Sequence, residues 1–164
     1  MIITKKIKEK WTSSENRKLV WVDFEWFETN KRIQHKIARD GKTLRLKFLK
    51  ENPDLQQEDI LYQEQQIDYL VNIKPCDCLV IKPRSTFETA SICYEIGNKH
   101  LPLFYEENIL LVSFEKPLFM QLQAMGFVVS KEVRRLSNSL KTTVTAHGGN
   151  KSLFSKIMDL TEKK

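Results

Sequence analysis

The sequence predicts an α+β fold: an N-terminal all-β domain, then a ferredoxin-like βαββαβ domain, then a flexible C-terminal tail. Hydrophobic and polar residues alternate through the first 73 residues with the period of two that half-buried strands show. Beyond Pro75, two segments of helical spacing lie among four short apolar runs, the order of a split βαβ unit. Beyond Leu140 the pattern fails in a polar segment that contains Gly148-Gly149. The expected parts are 1–74, 75–140 and 141–164.

The first domain is expected to consist of strands joined by short turns. Alternation is clearest over 19–27, where one face is apolar and the other carries two acids. A second run, 32–39, leads into Asp40-Gly41, a dipeptide typical of a tight β-hairpin, and then into 43–48. The apolar face of the first run carries Val20, Val22, Phe24 and Trp26. Further strands are expected at 60–62 and 67–73, after a loop at 52–54.

The second domain is expected to begin with the short apolar strand 78–81. Ser85 and Glu88 then have the spacing of a capping box, in which the Glu88 carboxylate accepts the Ser85 amide. The helix that they start is expected to run to about Ile96. It should end at Gly97, because glycine tolerates the left-handed conformation that closes many helices.

Two strands and a second helix complete the second domain. The strands are expected at 101–105 and 109–114, joined by a polar turn. Pro117 suits the first turn of the following helix, and Gly126 suits its end. The core face of that helix is expected to carry Leu118, Leu122 and Met125. A last strand over 127–135 gives the order βαββαβ.

Composition and charge exclude several classes of protein. The chain has a net charge of +6 and is 41% hydrophobic, which excludes a disordered or low-complexity protein. No run approaches the roughly 20 apolar residues of a membrane span, so no membrane partner is expected. The N-terminus lacks the apolar stretch and cleavage site of a signal peptide. Three cysteines without an export signal favour reduced thiols and a cytoplasmic location.

The sequence contains no recognisable catalytic motif, and we expect that the protein is not an enzyme. It has no phosphate-binding loop, no dinucleotide fingerprint, no His-Glu-x-x-His and no Gly-x-Ser-x-Gly. An enzyme that used Cys93 or Cys78 as its nucleophile would need a base beside the thiol. No pattern in the sequence supplies such a base.

Cysteine and histidine offer candidate metal ligands. Cys76-Asp77-Cys78 could bring two thiolates to a soft ion, but a structural zinc site needs four ligands and no second cysteine pair exists. A strand also points both cysteines to one side, so one of them could simply belong to the core. His35 is expected at the surface, on the charged side of its strand.

His100 occupies a distinctive position, just past the end of the first helix and before a strand. Such a corner presents a side chain outward and holds it in place. One imidazole cannot make a metal site, but two can if the molecule pairs about a two-fold axis. His147, beside two glycines in the tail, could add a further ligand.

Residues 92–100 resemble the Tyr-x-x-Gly-Asn-Arg/Lys-His signature of the UreE family, the nickel metallochaperones of urease maturation. In this sequence the segment reads Ile-Cys-Tyr-Glu-Ile-Gly-Asn-Lys-His. Residues 23–29, the Asp40-Gly41 hairpin and the order of the three parts are similar to the family as well. The resemblance covers residue 1 to about residue 140.

The resemblance implies a function and a site. His100 matches the histidine that binds Ni(II) at a homodimer interface, one from each subunit, and His147 matches a tail histidine that adds to the coordination. Zn(II) also occupies such sites. The family hands nickel to the urease accessory GTPase, and so to the urease apoprotein. Its first half is a peptide-binding domain and its second a metal-binding domain. Many members end in a histidine-rich tail, which this sequence lacks, so it should hold few ions.

An RNA-binding protein is the main alternative. A ferredoxin-like domain with a positive net charge is compatible with an RNA-recognition module. Such modules stack bases on aromatic residues of the central strands, within a Lys/Arg-Gly-Phe/Tyr type octapeptide, whereas the run 109–114 is mainly aliphatic and shows no such motif. We therefore expect no nucleic-acid partner.

Overall fold

The computed structural model describes residues 2–4, 7–10, 17–49 and 52–140, with 7–10 described as backbone only. The strands are β1 (Ile2–Ile3), β2 (Ile7–Lys10), β3 (Lys18–Phe24), β4 (Ile33–Ile37), β5 (Thr43–Lys47), β6 (Asp59–Glu64), β7 (Ile67–Ile73), β8 (Cys76–Ile81), β9 (Phe104–Glu106), β10 (Ile109–Ser113) and β11 (Val129–Arg134). The helices are a 3₁₀ turn (Trp26–Glu28), α1 (Thr86–Asn98) and α2 (Lys116–Ala124). We call the described residues up to 73 the all-β half, and 76–140 the ferredoxin-like half.

The predicted α+β fold is confirmed in both halves. The all-β half forms a three-stranded sheet in the order β1-β5-β4 and a four-stranded sheet in the order β2-β6-β7-β3. The ferredoxin-like half forms one antiparallel sheet in the order β11-β8-β10-β9, the fourth, first, third and second of its own strands. The predicted flexible tail, 141–164, lies outside the described residues.

Alternating apolar residues build the core of the all-β half. Val20, Val22 and Phe24 point inward from β3, as predicted, and meet Leu44 and Leu46 of β5. The predicted Asp40-Gly41 hairpin joins β4 to β5, and Gly41 has the positive φ of 89° that such a turn requires.

The first predicted strand, 19–27, is too long. β3 ends at Phe24, and Trp26–Glu28 forms a 3₁₀ turn. The Glu28 carboxylate accepts the Glu25 amide at 2.9 Å, a local bond that favours the turn over a continued strand. Trp26 therefore lies in the turn instead of in the strand, although it still packs against the core that β3 faces.

The alternation of 32–39 also gave the wrong setting for His35. His35 is exposed, as predicted, but it shares its face of β4 with Ile33 and Ile37 instead of with charged residues. These isoleucines are 60% and 70% exposed, so the apolar side of this run faces solvent.

Two helices cover one face of the ferredoxin-like sheet. Leu118 and Leu122 of α2 are buried against the sheet, as their helical spacing indicated, and Ile92 and Ile96 of α1 are buried there as well. Met125 was predicted to join them but is 46% exposed, because it caps α2 instead of lying within it. Within the described residues, no helix combines the length and the apolar composition needed to cross a membrane.

The other face of this sheet packs beside the all-β half. Trp26 meets Phe104 edge to face, with ring centroids 5.7 Å apart. The Arg135 guanidinium donates to the Ile73 carbonyl at 2.8 Å, and Lys74 forms an ion pair with Glu25. The apolar cluster beneath Trp26 comprises Cys78, Val80, Phe104, Leu111 and Leu136.

Candidate metal centre

The start of α1 follows the predicted chemistry in part. The Ser85 hydroxyl accepts the Glu88 amide at 3.1 Å and so caps the helix. The return bond of the predicted capping box is wrong, because the Glu88 carboxylate accepts the Arg84 amide at 2.8 Å instead of the Ser85 amide. The Arg84 guanidinium also forms an ion pair with Glu88, which holds the carboxylate beside Arg84 instead of Ser85.

The end of α1 fixes the position of His100. The helix runs to Asn98, so Gly97 lies inside it and the predicted end is two residues early. The His100 amide donates to the Gly97 carbonyl at 3.0 Å, and the Leu101 amide donates to the Ile96 carbonyl at 3.4 Å. This pair of bonds is a Schellman motif, in which the residue after the cap takes the left-handed conformation.

His100 is that left-handed residue, with φ of 54°. The same motif ends α2, where the Gly126 amide donates to Gln123, the Phe127 amide donates to Leu122, and Gly126 has φ of 81°. Glycine takes this conformation without strain, whereas for another residue it costs about 1–2 kcal/mol. The fold thus holds an exposed imidazole where glycine would be more stable. Backbone strain of this kind often marks a functional site.

Three large apolar side chains are exposed on the two helices of the ferredoxin-like half. Phe87 and Tyr94, seven residues apart on α1, are 80% and 68% exposed. Met120 of α2 is also more than half exposed, and α2 is joined to α1 by a hydrogen bond from Gln121 to Glu95. Two exposed aromatic side chains on the same face of one helix are typical of a protein–protein contact.

The last described residues lie close to the His100 corner. The Leu140 amide donates to the Leu103 carbonyl at 2.7 Å. Leu103 is three residues from His100, so their Cα atoms are at most about 11 Å apart. His147 lies outside the described residues, but the seven residues from Leu140 to His147 can span up to roughly 25 Å. The length of the chain is therefore sufficient to bring His147 to His100.

One chain brings no complete metal site together within its described residues. No three of their His, Cys, Asp or Glu side chains are grouped closely enough to hold an ion. His100 and His35 lie in different halves of the fold. An ion at His100 would therefore need ligands from the tail or from a second chain.

The three cysteines are free thiols, and burial governs their chemistry. Burial raises the pKa of Cys76 and of Cys93, and raises that of Cys78 to about 12. A catalytic cysteine needs a lowered pKa, so neither Cys78 nor Cys93 has the environment of a nucleophile.

The conformation of His100 was missed in the sequence, although a signal for it exists. Leu101 follows Ile96 by five residues, the separation at which the two residues flanking a Schellman motif make their apolar contact. Glycine is the conventional marker of a helix end, so the end of α1 was predicted at Gly97.

Comparison with known proteins identifies relatives along most of the chain. Residues 76–151 match the family described as UreE urease accessory protein, C-terminal domain. The urease accessory protein UreE of Flavobacterium johnsoniae is 44% identical over 149 residues, which are 90% of each chain. The UreE of Actinobacillus pleuropneumoniae is 34% identical over 77% of this chain and 67% of its own length. That of Acetivibrio thermocellus is 32% identical over 77% of this chain and 82% of its own length.

The fold and the exposed histidine define the class of protein: a two-part α+β protein with a candidate metal ligand, His100, on its surface. Identity of 44% across nine-tenths of both chains makes the assignment specific. The chain belongs to the UreE family of urease accessory proteins.

Proposed function

We propose that this protein is a nickel metallochaperone of urease maturation. It binds Ni(II) between two copies of the chain through paired His100 side chains. It then delivers the ion, through the urease accessory GTPase, to the urease apoprotein. The names of its relatives, urease accessory proteins, support the role in urease assembly.

The position of His100 carries the proposal. The imidazole is exposed, is held at a helix end that would be more stable with glycine, and belongs to no group of three or more ligating side chains in the described chain. A two-fold axis at this corner would place a second, identical imidazole opposite the first. Imidazole nitrogen suits both Ni(II) and Zn(II), so we expect zinc to compete for the site.

The exposed apolar surface of α1 supplies a contact for the second copy. Phe87 and Tyr94 lie on the helix that ends at His100, so burying them between two chains would also bring the two corners together. Burying an aromatic side chain of this size contributes about 1.5–3 kcal/mol. The dimer would thus form without metal and present a prepared site.

The ligands proposed here suit a carrier better than a store. The ion would be shared between two chains, with His147 of the tail as an additional ligand, so one ligand can leave without unfolding either half. His147 is the only histidine after His100, which limits each dimer to about one ion held by histidine.

Two further assignments belong to this proposal. Residues 1–74 would be a peptide-binding domain and 75–140 the metal-binding domain, with the delivery partners contacting the dimer. The protein would act in the cytoplasm and catalyse no reaction. Its three cysteines are free thiols, and two of them have sulfurs 3.6 Å apart without a disulfide bond. This is consistent with a reducing compartment.

The RNA-binding alternative lacks the surface that it needs. RNA-recognition modules use the sheet face opposite the helices. Here Val80, Leu111 and Phe104 on that face are buried beneath Leu136 and Trp26. Tight RNA binding with a steep dependence on salt would nevertheless favour the alternative.

Isothermal titration with nickel tests the role of His100. We expect one Ni(II) per wild-type dimer and, for His100→Asn, an affinity lower by at least about tenfold, or 1.4 kcal/mol. Asparagine is chosen because it tolerates the left-handed conformation better than most residues, so the helix end is kept. His35→Asn, an exposed histidine of the other half, is the matched control and should bind as wild type. Unchanged nickel affinity in His100→Asn would refute the proposed site.

Substitution of His147 tests the contribution of the tail. We expect His147→Ala to bind nickel more weakly than wild type and to remain a dimer by size-exclusion chromatography with light scattering. The reason is that His147 would supply a ligand but no dimer contact. If affinity and stoichiometry are both unaltered, His147 is not a ligand.

A further inference from the structure

We propose that Cys76 and Cys78 form a second, open metal site, which takes a thiophilic divalent cation of the zinc group through two thiolates, with water in its remaining positions. This inference concerns the opposite face of the ferredoxin-like sheet from α1 and does not depend on the proposed nickel site. It rests on the geometry of the two sulfurs, the rigidity of their strand and the charge balance of their surroundings.

The two sulfur atoms already have nearly the separation that a shared ion requires. Their Sγ atoms lie 3.6 Å apart, far beyond the length of about 2.0 Å of a disulfide bond. Two sulfurs at 2.3 Å from a tetrahedral zinc ion would be about 3.8 Å apart. The spacing of the two sulfurs is therefore close to that of a pair sharing one ion.

The backbone holds the pair in place. β8 is an inner strand of its sheet, with β11 on one side and β10 on the other. Cys76 is paired with Arg134, and Cys78 with both Glu132 and Ser113. Residues i and i+2 of a strand point to the same face, so both thiols are directed together before any ion arrives. Binding would order little that is not already ordered.

The surroundings favour a divalent ion. Cys78 is fully buried among Val80, Leu111 and Leu136, while Cys76 is partly exposed and offers the route of entry. Binding replaces the two thiol protons with one M²⁺ and releases two H⁺, so the buried unit is neutral. A monovalent ion would leave a net negative charge in this apolar cluster, which is costly. Thiolate sulfur is the softer donor and favours zinc-group ions, whereas His100 offers imidazole.

Titration of the reduced, metal-free full-length protein with Cd²⁺ tests this site. Cadmium thiolates absorb in the ultraviolet through charge transfer, and the absorption counts the Cd–S bonds. We expect the band to saturate at one Cd²⁺ per chain in wild type and to lose at least half of its intensity in Cys76→Ser. Cys78→Ser should behave in the same way, but because Cys78 is fully buried, Cys76→Ser is the primary variant.

Two control variants show whether the band arises from Cys76 and Cys78. Cys93→Ser removes the third thiol, which packs with the core on the helix side of the sheet, and should leave the band unchanged. His100→Asn should also leave it unchanged, although it weakens nickel binding. A full band in Cys76→Ser, or no band in folded wild type, would overturn the inference without affecting the nickel proposal. Loss of the band in Cys93→Ser would overturn it as well.

Discussion

The two halves of the molecule fill their interiors with different chemistry. Every buried polar residue in the described chain lies in the all-β half, and the buried side chains of the ferredoxin-like half are apolar or cysteine. The buried polar residues are Thr29, Asp59, Asp68 and Asn72. The all-β half therefore adds ionic and hydrogen-bonded partners to its apolar core, whereas the interior of the other half relies on apolar packing alone.

Polar pairs in the all-β half connect strands that must keep their register. Asp68 of β7 accepts from the Arg17 guanidinium at 2.7 Å and from the Gln63 amide at 3.0 Å. Asn72, also on β7, donates to Asp23 of β3 at 2.6 Å. A slip of one residue would turn these groups to the wrong face and leave them unpaired in the interior, so the pairs help to specify the alignment of β3 with β7.

The largest expected effect comes from breaking a buried pair in the all-β half. We expect Asp68→Ala to lower the free energy of unfolding by roughly 3 kcal/mol, because it removes the carboxylate that neutralises Arg17 in a partly buried site. Urea denaturation followed by tryptophan fluorescence measures this change.

Asp77→Ala is the matched control for that substitution. It removes an aspartate from an ion pair of the same length, 2.7 Å to Lys131, but both partners are about half exposed. Exposed pairs contribute about 0–1 kcal/mol, so the loss should be within that range. Equal losses in the two variants would show that the polar interior of the all-β half is not what distinguishes it.

Unfolding by acid should also distinguish the two halves, and the all-β half should be the more sensitive. The hydrogen bond from the Arg39 guanidinium holds the pKa of Asp23 below its usual value, and the Lys42 amide does the same for Asp40. Both carboxylates also accept from buried residues, Asn72 and Tyr69. A lowered pKa means stabilisation that is present above about pH 4 and lost as the pH falls through the folded-state pKa.

The ferredoxin-like half should be less sensitive to acid. Glu88 and Glu132 there have lowered pKa values through hydrogen bonds, first of all from Arg84 and Ser130, but neither touches a buried polar group. All three tryptophans lie in the first 74 residues, and both described α-helices lie beyond residue 85. We therefore expect tryptophan fluorescence to change at a higher pH than the helical circular dichroism signal. Coincident transitions would show that the halves unfold as one unit.

The fold could be predicted from sequence because periodicity is local. Alternation in β3 and helical spacing in α1 and α2 each arise within a dozen residues, and the order of elements then determines the class of fold. The prediction failed where a local pattern competed with a specific contact. The predicted strand continued through Trp26, whereas the bond from the Glu25 amide to the Glu28 carboxylate ends it at Phe24 and starts a 3₁₀ turn.

The sequence predicted which residue forms the candidate site, but not the backbone conformation of that residue. Chain order and resemblance pointed to His100, yet the backbone that holds it depends on which residue after α1 becomes left-handed. Glycine was the reasonable choice, and the structure gives that place to His100. Pairing between two chains leaves no periodic pattern in one sequence, so the dimer stays a prediction.

The smallest expected effect compares the ends of the two helices. α1 and α2 end in the same Schellman motif, with His100 in one and Gly126 in the other. We expect His100→Gly to raise the free energy of unfolding by about 1 kcal/mol, since glycine takes the left-handed conformation without strain. Gly126→His should lower it by a similar amount, because an added Cβ meets no neighbour within 4 Å but the φ of 81° becomes strained.

Measuring nickel affinity in the same two variants shows whether the strain at His100 is linked to binding. His100→Gly should be more stable than wild type in urea denaturation and yet lose nickel affinity, whereas Gly126→His should be less stable and retain it. A residue that lowers stability where it stands and raises binding is retained for the ligand that it supplies. If His100→Gly proves less stable than wild type, the imidazole makes a favourable contact within the fold, and strain gives no evidence for a role in binding.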